Sequence, residues 1–204
     1  MSHSKLPISA AVLFGPRSRS FGFPKAFLTW GSGSLAAHLV QRAQQQFREV
    51  VAVAKEVDWI PRDVHGSVPL FLDHWSENGP QAGLATAIPL VCFNPVFLVS
   101  CHQPLFRAEV VRGLWKIWES EGPADVIAPW VGGKWFPFCA LWSKTALPFL
   151  GPGKWRGLEE ALEKGDLKVR RVLEKEVRSW DPGLVSFREL NGIQDWMEIG
   201  VLQD

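Results

Sequence analysis

The chain has 204 residues, with 22 Lys plus Arg against 21 Asp plus Glu, a formal net charge of +1, and 47% hydrophobic residues. A chain of this length and balance fills one domain with a core of its own, which excludes disordered, collagen-like and mini-protein classes. The near-zero charge provides no long-range field to steer nucleic acid or an anionic membrane. Neither is expected as a partner, and any anion recognised must be held by a local site.

The start MSHSKLPISA lacks the charged-then-apolar layout of a signal peptide. Residues 8–14 (ISAAVLF) read as a fully buried strand, ended by a turn-rich segment at 15–24. A helix is expected over 34–47, with Leu35, Leu39, Ala43 and Phe47 at helical spacing and Ser32 or Ser34 as N-cap. Residues 49–54 and 68–72 read as strands. Gly79-Pro80 opens a short helix through Ile88, the proline fitting a first turn that needs no amide donor. The apolar stretch 82–101 is broken by Pro89 and Asn94-Pro95, which suits two short buried elements rather than a membrane span. A strand at 96–101 and an amphipathic helix at 107–121 follow, then strands at 125–130 and 134–142 around the turn at Gly132-Gly133. A helix at 157–164, the basic run 168–171, a strand at 184–187 and a helix from Ile193 complete the chain. This alternation of strands and helices predicts one α/β domain over 1–204, layered around a mainly parallel sheet.

Cys92, Cys101 and Cys139 are odd in number and lie in apolar surroundings, so buried reduced thiols are expected. No CxxC pair or HExxH occurs, and no zinc site is indicated. The thiols and the start of the chain together suggest a cytoplasmic protein.

In an open parallel sheet, ligands bind beyond the carboxyl ends of the strands. The first such loop here is LFGPRSRSFGFPK, residues 13–25, with two glycines, two serines, two arginines and a closing lysine. Those residue types let backbone amides approach phosphate oxygens and neutralise them, although ordinary turns use the same glycines and serines. The loop is neither a Walker A motif nor GxGxxG.

The segment resembles the signature L-A-G-G-x-S-x-R-M-G-x-D-K of the molybdenum cofactor guanylyltransferase family, with Leu13, Gly15, Ser18, Gly22 and Lys25 matching. Four further landmarks fall in family order. Asp73 followed by N-G-P-Q-A-G (78–83) resembles D-x(n)-G-P-L-A-G, and V-S-C-H-Q-P-L (99–105) resembles the strand ending C-D-M-P. F-P-F-C-A-L-W (136–142) resembles h-P-l-x-A-L-Y, and F-R-E-L-N (187–191) resembles F-x-N-x-N. The resemblance implies a three-layer Rossmann-like nucleotidyltransferase fold with a mostly parallel, mixed sheet. It also implies GTP as substrate, Mg²⁺ or Mn²⁺ as cofactor, and transfer of GMP to molybdopterin. By the same analogy Lys25 would be catalytic, binding phosphate. Leu13, Phe14, Gly15, Ser18, Gly22, Asp73, Gly79 and Gly83 would form the nucleotide site.

The departures fall on the chemistry. Pro16 replaces the second glycine and removes an amide, Ser20 replaces the arginine with Arg17 and Arg19 close by, and Pro24 replaces the aspartate before the lysine. His102 stands where the family has its metal-binding aspartate, and Glu189 where it has an asparagine. If both face one cation, a His plus Glu pair suits Mn²⁺, Co²⁺ or Zn²⁺ better than Mg²⁺. A bonded strand-end histidine and a surface glutamate is the other reading of the pair. An active transferase and a catalytically silent, nucleotide-binding relative both remain open at this level, as does transfer of CMP or a sugar-phosphate acceptor.

Overall fold

The computed structural model describes residues 4–16, 18–75, 79–151 and 154–200. In chain order the strands and α-helices are β1 Leu6–Phe14, β2 Thr29–Trp30, β3 Gly33–Ser34, α1 Leu35–Gln46, β4 Phe47–Ala54, β5 Leu70–Leu72, α2 Pro80–Ala87 and β6 Val96–Ser100. They continue with α3 Ala108–Glu121, β7 Val126–Val131, β8 Lys134–Trp135, β9 Leu141–Trp142, α4 Leu158–Lys164, β10 Val169–Leu173, α5 Glu174–Arg178 and α6 Ile193–Gly200. The main sheet runs β10-β7-β9-β6-β1-β4-β5, with β8 paired to β7. Neighbours are parallel except where β9 and β8 run antiparallel. This is the mainly parallel α/β architecture that the alternation of elements predicts, with the mixed sheet that the family resemblance implies.

The continuous apolar run of β1 follows from burial on both faces. Ile8, Ala10, Val12 and Phe14 pack into one core with Leu35, Leu39 and Ala43 of α1 and Val110, Leu114 and Ile117 of α3. Ala11 and Leu13 point to the other core, with Leu84 and Ala87 of α2 and Leu158 and Ala161 of α4. Helices therefore cover both faces of the sheet, giving three layers. Within the first core Phe97 stacks on Phe47 at 5.2 Å between ring centroids and meets Phe106 at 5.6 Å.

Several local expectations are refined. Ser34 is the N-cap of α1, its hydroxyl accepting from the Ala37 N–H at 3.0 Å, and its own N–H and hydroxyl donate to the Asp63 carboxylate at 2.8 Å each. Phe47 leaves the helix and opens β4 in extended conformation. Pro69 has no N–H to pair, and the strand expected at 68–72 is confined to Leu70–Leu72. The strand expected at 134–142 is split by a 3₁₀ turn at Pro137–Cys139. Its second part, β9, fits antiparallel between β6 and β7. The strand expected at 184–187 is instead a 3₁₀ turn, Val185–Phe187, entered through left-handed Leu184 (φ +50°) and held by the buried Asp181 carboxylate, which accepts from the Ser186 N–H at 2.8 Å. All three cysteines are free, and Cys101 and Cys139 are buried, but Cys92 is exposed. Its N–H donates to the Glu49 carboxylate at 2.7 Å, which pins that turn at the surface. Among the described residues no helix is long and apolar enough to cross a membrane.

Candidate active site

The chain lays β4 and β5 on one side of β1 and returns with β6 on the other, so a crevice opens at the reversal, beyond the strand ends. The register keeps these ends level: Leu13 stands opposite both Val53 and Ser100, and Phe14 opposite Ala54. A cleft of about 330 Å³ occupies this place. Leu13, Phe14, Gly15, Ser18 and Lys25 line it from β1 and its loop, Asp73, Gly79 and Gly83 from β5 and α2, and His102 from β6. Nine of the eleven expected site residues thus come together, from segments far apart in the chain.

The end of the cleft beside α2 is made by packing. Gly83 brings α2 against β1 so closely that a Cβ there would lie 3.1 and 3.2 Å from the two methyls of Leu13. Gly79 takes φ +154°, a conformation that side chains rarely adopt. Asp73 is buried at 7% exposure, its N–H bonded to the Ala54 carbonyl at 2.8 Å. One of its carboxylate oxygens accepts from the Trp75 N–H at 2.9 Å and from the Thr86 hydroxyl at 3.4 Å. Asp73 therefore shapes the turn after β5 and is also one of the residues lining the cleft. Asn78, which opens the N-G-P-Q-A-G landmark, and Arg17 lie outside the described residues.

The first loop is partly closed on itself. The Ser18 N–H donates to the Phe23 carbonyl at 3.0 Å and the Gly22 N–H to the Ser18 carbonyl at 2.8 Å. Gly22 is thus a turn residue (φ +75°) outside the cleft lining, and its amide is already engaged. Lys25 begins a 3₁₀ turn, Lys25–Phe27, which returns its side chain to the end of β6.

That end of the cleft is made of charges. The Lys25 ammonium donates to the Leu190 carbonyl and lies 3.4 Å from His102 Nδ1. The Leu190 N–H donates in turn to the His102 carbonyl at 2.8 Å, so the segment at 187–191 is docked against the end of β6. Glu189 stands behind His102, with Oε1 3.7 Å from Nε2, while its Oε2 accepts from the Lys134 ammonium at 2.7 Å. Burial first, then the Lys25 ammonium, pushes the His102 imidazole below its usual range, with Glu189 pulling the other way. Burial likewise lowers Lys25, opposed by Cys101, Asp195 and Glu189. The Cys101 thiol on the cleft floor is pushed up to about 12 by burial.

The pair expected to hold a metal, His102 and Glu189, does meet. However, an ammonium crowds each partner, and among the described residues no three His, Cys, Asp or Glu side chains gather as a metal site. The residues present do not fit an oxygen-seeking divalent cation, which takes six or more ligands.

Sequence reasoning missed Lys55, Trp59 and Phe138, which also line the cleft. Lys55 follows β4 directly, and its Nζ donates to the Trp75 carbonyl at 2.8 Å. A cation placed one residue past a buried strand was the signal available for it. Trp59 and Phe138 carried no such signal among eleven Trp and 13 Phe.

Known proteins resemble this chain in sequence and in fold. The probable molybdenum cofactor guanylyltransferase of Carboxydothermus hydrogenoformans is 28% identical over 141 residues, covering 69% of this chain and 68% of that protein. The molybdenum cofactor guanylyltransferase of Syntrophotalea carbinolica is 24% identical over 195 residues, 92% of this chain and 88% of that one. The crystal structure of molybdopterin-guanine dinucleotide biosynthesis protein A from Archaeoglobus fulgidus superposes with a TM-score of 0.76 at 20% identity, covering 96% of this chain and 98% of its own, which shows the shared fold. The model of the MobA-like NTP transferase domain matches residues 10–179, from inside β1 to the end of α5. With the cleft and its first loop inside that span, the chain belongs to the MobA-like NTP transferase domain family.

Proposed function

We propose that this protein is a nucleotidyltransferase of one domain that moves GMP from GTP to the terminal phosphate of molybdopterin in the cytoplasm. The observation that carries this reading is that a relative named molybdenum cofactor guanylyltransferase aligns along 92% of the chain. An oxygen of the acceptor phosphate attacks the α-phosphorus in line. The bond from that phosphorus to the β-phosphate oxygen breaks, and pyrophosphate leaves with the bonding pair. Such a transfer needs positioning and positive charge rather than covalent chemistry by the protein. Lys25 is the residue assigned to the charge developing on pyrophosphate. Leu13, Gly79 and Gly83 shape the base pocket, Asp73 reads the guanine edge or ribose, and Phe14, Gly15 and Ser18 flank the phosphates.

His102 favours a second reading, in which the cleft holds nucleotide without turnover. Incubation with GTP and molybdopterin, followed by release of pyrophosphate, separates the two. The transferase reading expects pyrophosphate with GTP and little with CTP or ATP. Equal turnover of CTP would move the protein to cytidylyl transfer, and binding without pyrophosphate would leave the silent relative.

A further inference from the structure

The charges beyond β6 converge on an ammonium rather than on a place for a metal. Resting on the reading of the cleft as a nucleotide site, we propose that the Lys25 ammonium is the resident cation of its phosphate end. The triphosphate is then held there without a divalent ion, and His102 is the residue that positions Lys25.

The geometry is that of a cation with ligands. The Leu190 carbonyl and His102 Nδ1 both face Lys25 Nζ. An ammonium has three donors and no acceptor, so Nδ1 must offer its lone pair, which places the ring proton on Nε2, toward Glu189 Oε1 at 3.7 Å. Two of the three Lys25 donors are then used, leaving one for a ligand oxygen in the cleft that Lys25 lines. The Leu190 N–H bond to the His102 carbonyl, at 2.8 Å, fixes the separation of the two acceptors. Lys134 holds Glu189 on the far side at 2.7 Å.

Charge arithmetic gives the reason for the histidine. An aspartate facing Lys25 would cancel its charge, and a divalent cation would be needed to restore a positive site for phosphate. A neutral imidazole leaves the lysine's charge whole. A neutral His102 beside Lys25 and the lack of a cluster of three metal-ligating side chains among the described residues then fit one site.

The test is calorimetric titration of the full chain with GTP, in EDTA and in excess Mg²⁺ or Mn²⁺. Wild type is expected to bind in EDTA within about threefold of its affinity with either metal. Lys25→Ala should lose at least roughly tenfold in EDTA, since it removes a charged hydrogen bond. His102→Asp should also lose roughly tenfold in EDTA and recover when Mg²⁺ is added, a response that a merely structural histidine would not produce. Thermal melts report whether each variant folds, and the wild-type arms need no variant. Wild-type binding that appears only with Mg²⁺ or Mn²⁺ overturns the inference and leaves the nucleotide site standing. No binding in any arm overturns the nucleotide reading and the inference together.

Discussion

The two ends of the cleft are built by different forces. At the α2 end, Gly83 against Leu13 and the buried, backbone-anchored Asp73 fix the shape by close packing and short-range hydrogen bonds. At the β6 end, Lys25, Glu189 and Lys134 fix it by their charges, linked through the neutral His102 imidazole and the Leu190 carbonyl. Close packing tolerates little change, because one added methylene is felt throughout a dense interior. A charge chain can exchange members provided that the sum and the donor count still close. The first end should therefore tolerate substitution less readily than the second.

Overfilling the packed end gives the largest expected effect. Gly83→Val adds a branched side chain whose Cβ alone already sits 3.1 Å from a Leu13 methyl. Overpacking of this kind costs about 1–3 kcal/mol and would drive Leu13 into the cleft. Urea unfolding should show a lower midpoint, and GTP titration a loss of affinity larger than that of Gly83→Ala. A Gly83→Val protein with unchanged midpoint and affinity would show that the α2 end is not close-packed.

Asp73 sharpens the comparison, since it has both a structural and a proposed recognition role. Asp73→Asn keeps the oxygen that accepts from the Trp75 N–H at 2.9 Å, so the unfolding midpoint should hardly move. Asp73→Ala leaves that amide unpaired and should cost about 1–3 kcal/mol. Both substitutions should weaken GTP binding. If Asp73→Asn binds GTP as wild type does, Asp73 serves the turn alone.

The same contrast explains what could be read from the chain. β1, the Ser34 cap, the short helix after Gly79-Pro80 and the amphipathic α3 follow from local pattern, because their determinants lie within a few residues. Leu13, Asp73 and Gly83 were legible as a site through the resemblance of their motifs to the family's landmarks, and the structure adds that Gly83 packs on Leu13. At the other end the His102–Glu189 pair was anticipated, but the contacts of the two lysines were not. Lys25 meets the Leu190 carbonyl across a sequence separation of 165, and Lys134 meets Glu189 across 55. No periodicity reports such pairs; only the strand order brings them together. The split of 134–142 was hidden for a related reason. β9 is two residues long, and its place between β6 and β7 is set by its partners rather than by its own sequence.

The smallest expected effect acts on the scaffold and provides a control for the cleft. His38 of α1 stacks on Trp30 with ring centroids 4.5 Å apart, and Trp196 of α6 meets Trp30 edge-on at 5.5 Å. Its Nε2 is buried without a hydrogen-bond partner. Burial first, then the Arg42 guanidinium, lowers its pKa from 6.5 to about 4. Between those values the unfolded chain binds a proton that the folded chain refuses, so the contribution is complete above pH 6.5 and is lost as pH falls toward 4. His102, also lowered, acts in the same direction. The hydrogen-bonded carboxylates of Glu49, Glu121, Glu160, Glu174 and Glu176 are held below 4.5, and their contribution is lost mainly as pH falls through that value. Urea midpoints measured from pH 7.5 down to 5.0 should therefore fall for wild type. They should fall less for His38→Phe, which keeps the stack and removes the titration, with the remaining slope belonging to His102 and, near pH 5, to those carboxylates. At pH 7.5, His38→Phe should bind GTP as wild type does, because His38 is not among the residues lining the cleft. If the two proteins show equal slopes, His38 is protonated freely in the fold. A change in GTP affinity would instead show that the α1 face and the cleft are coupled.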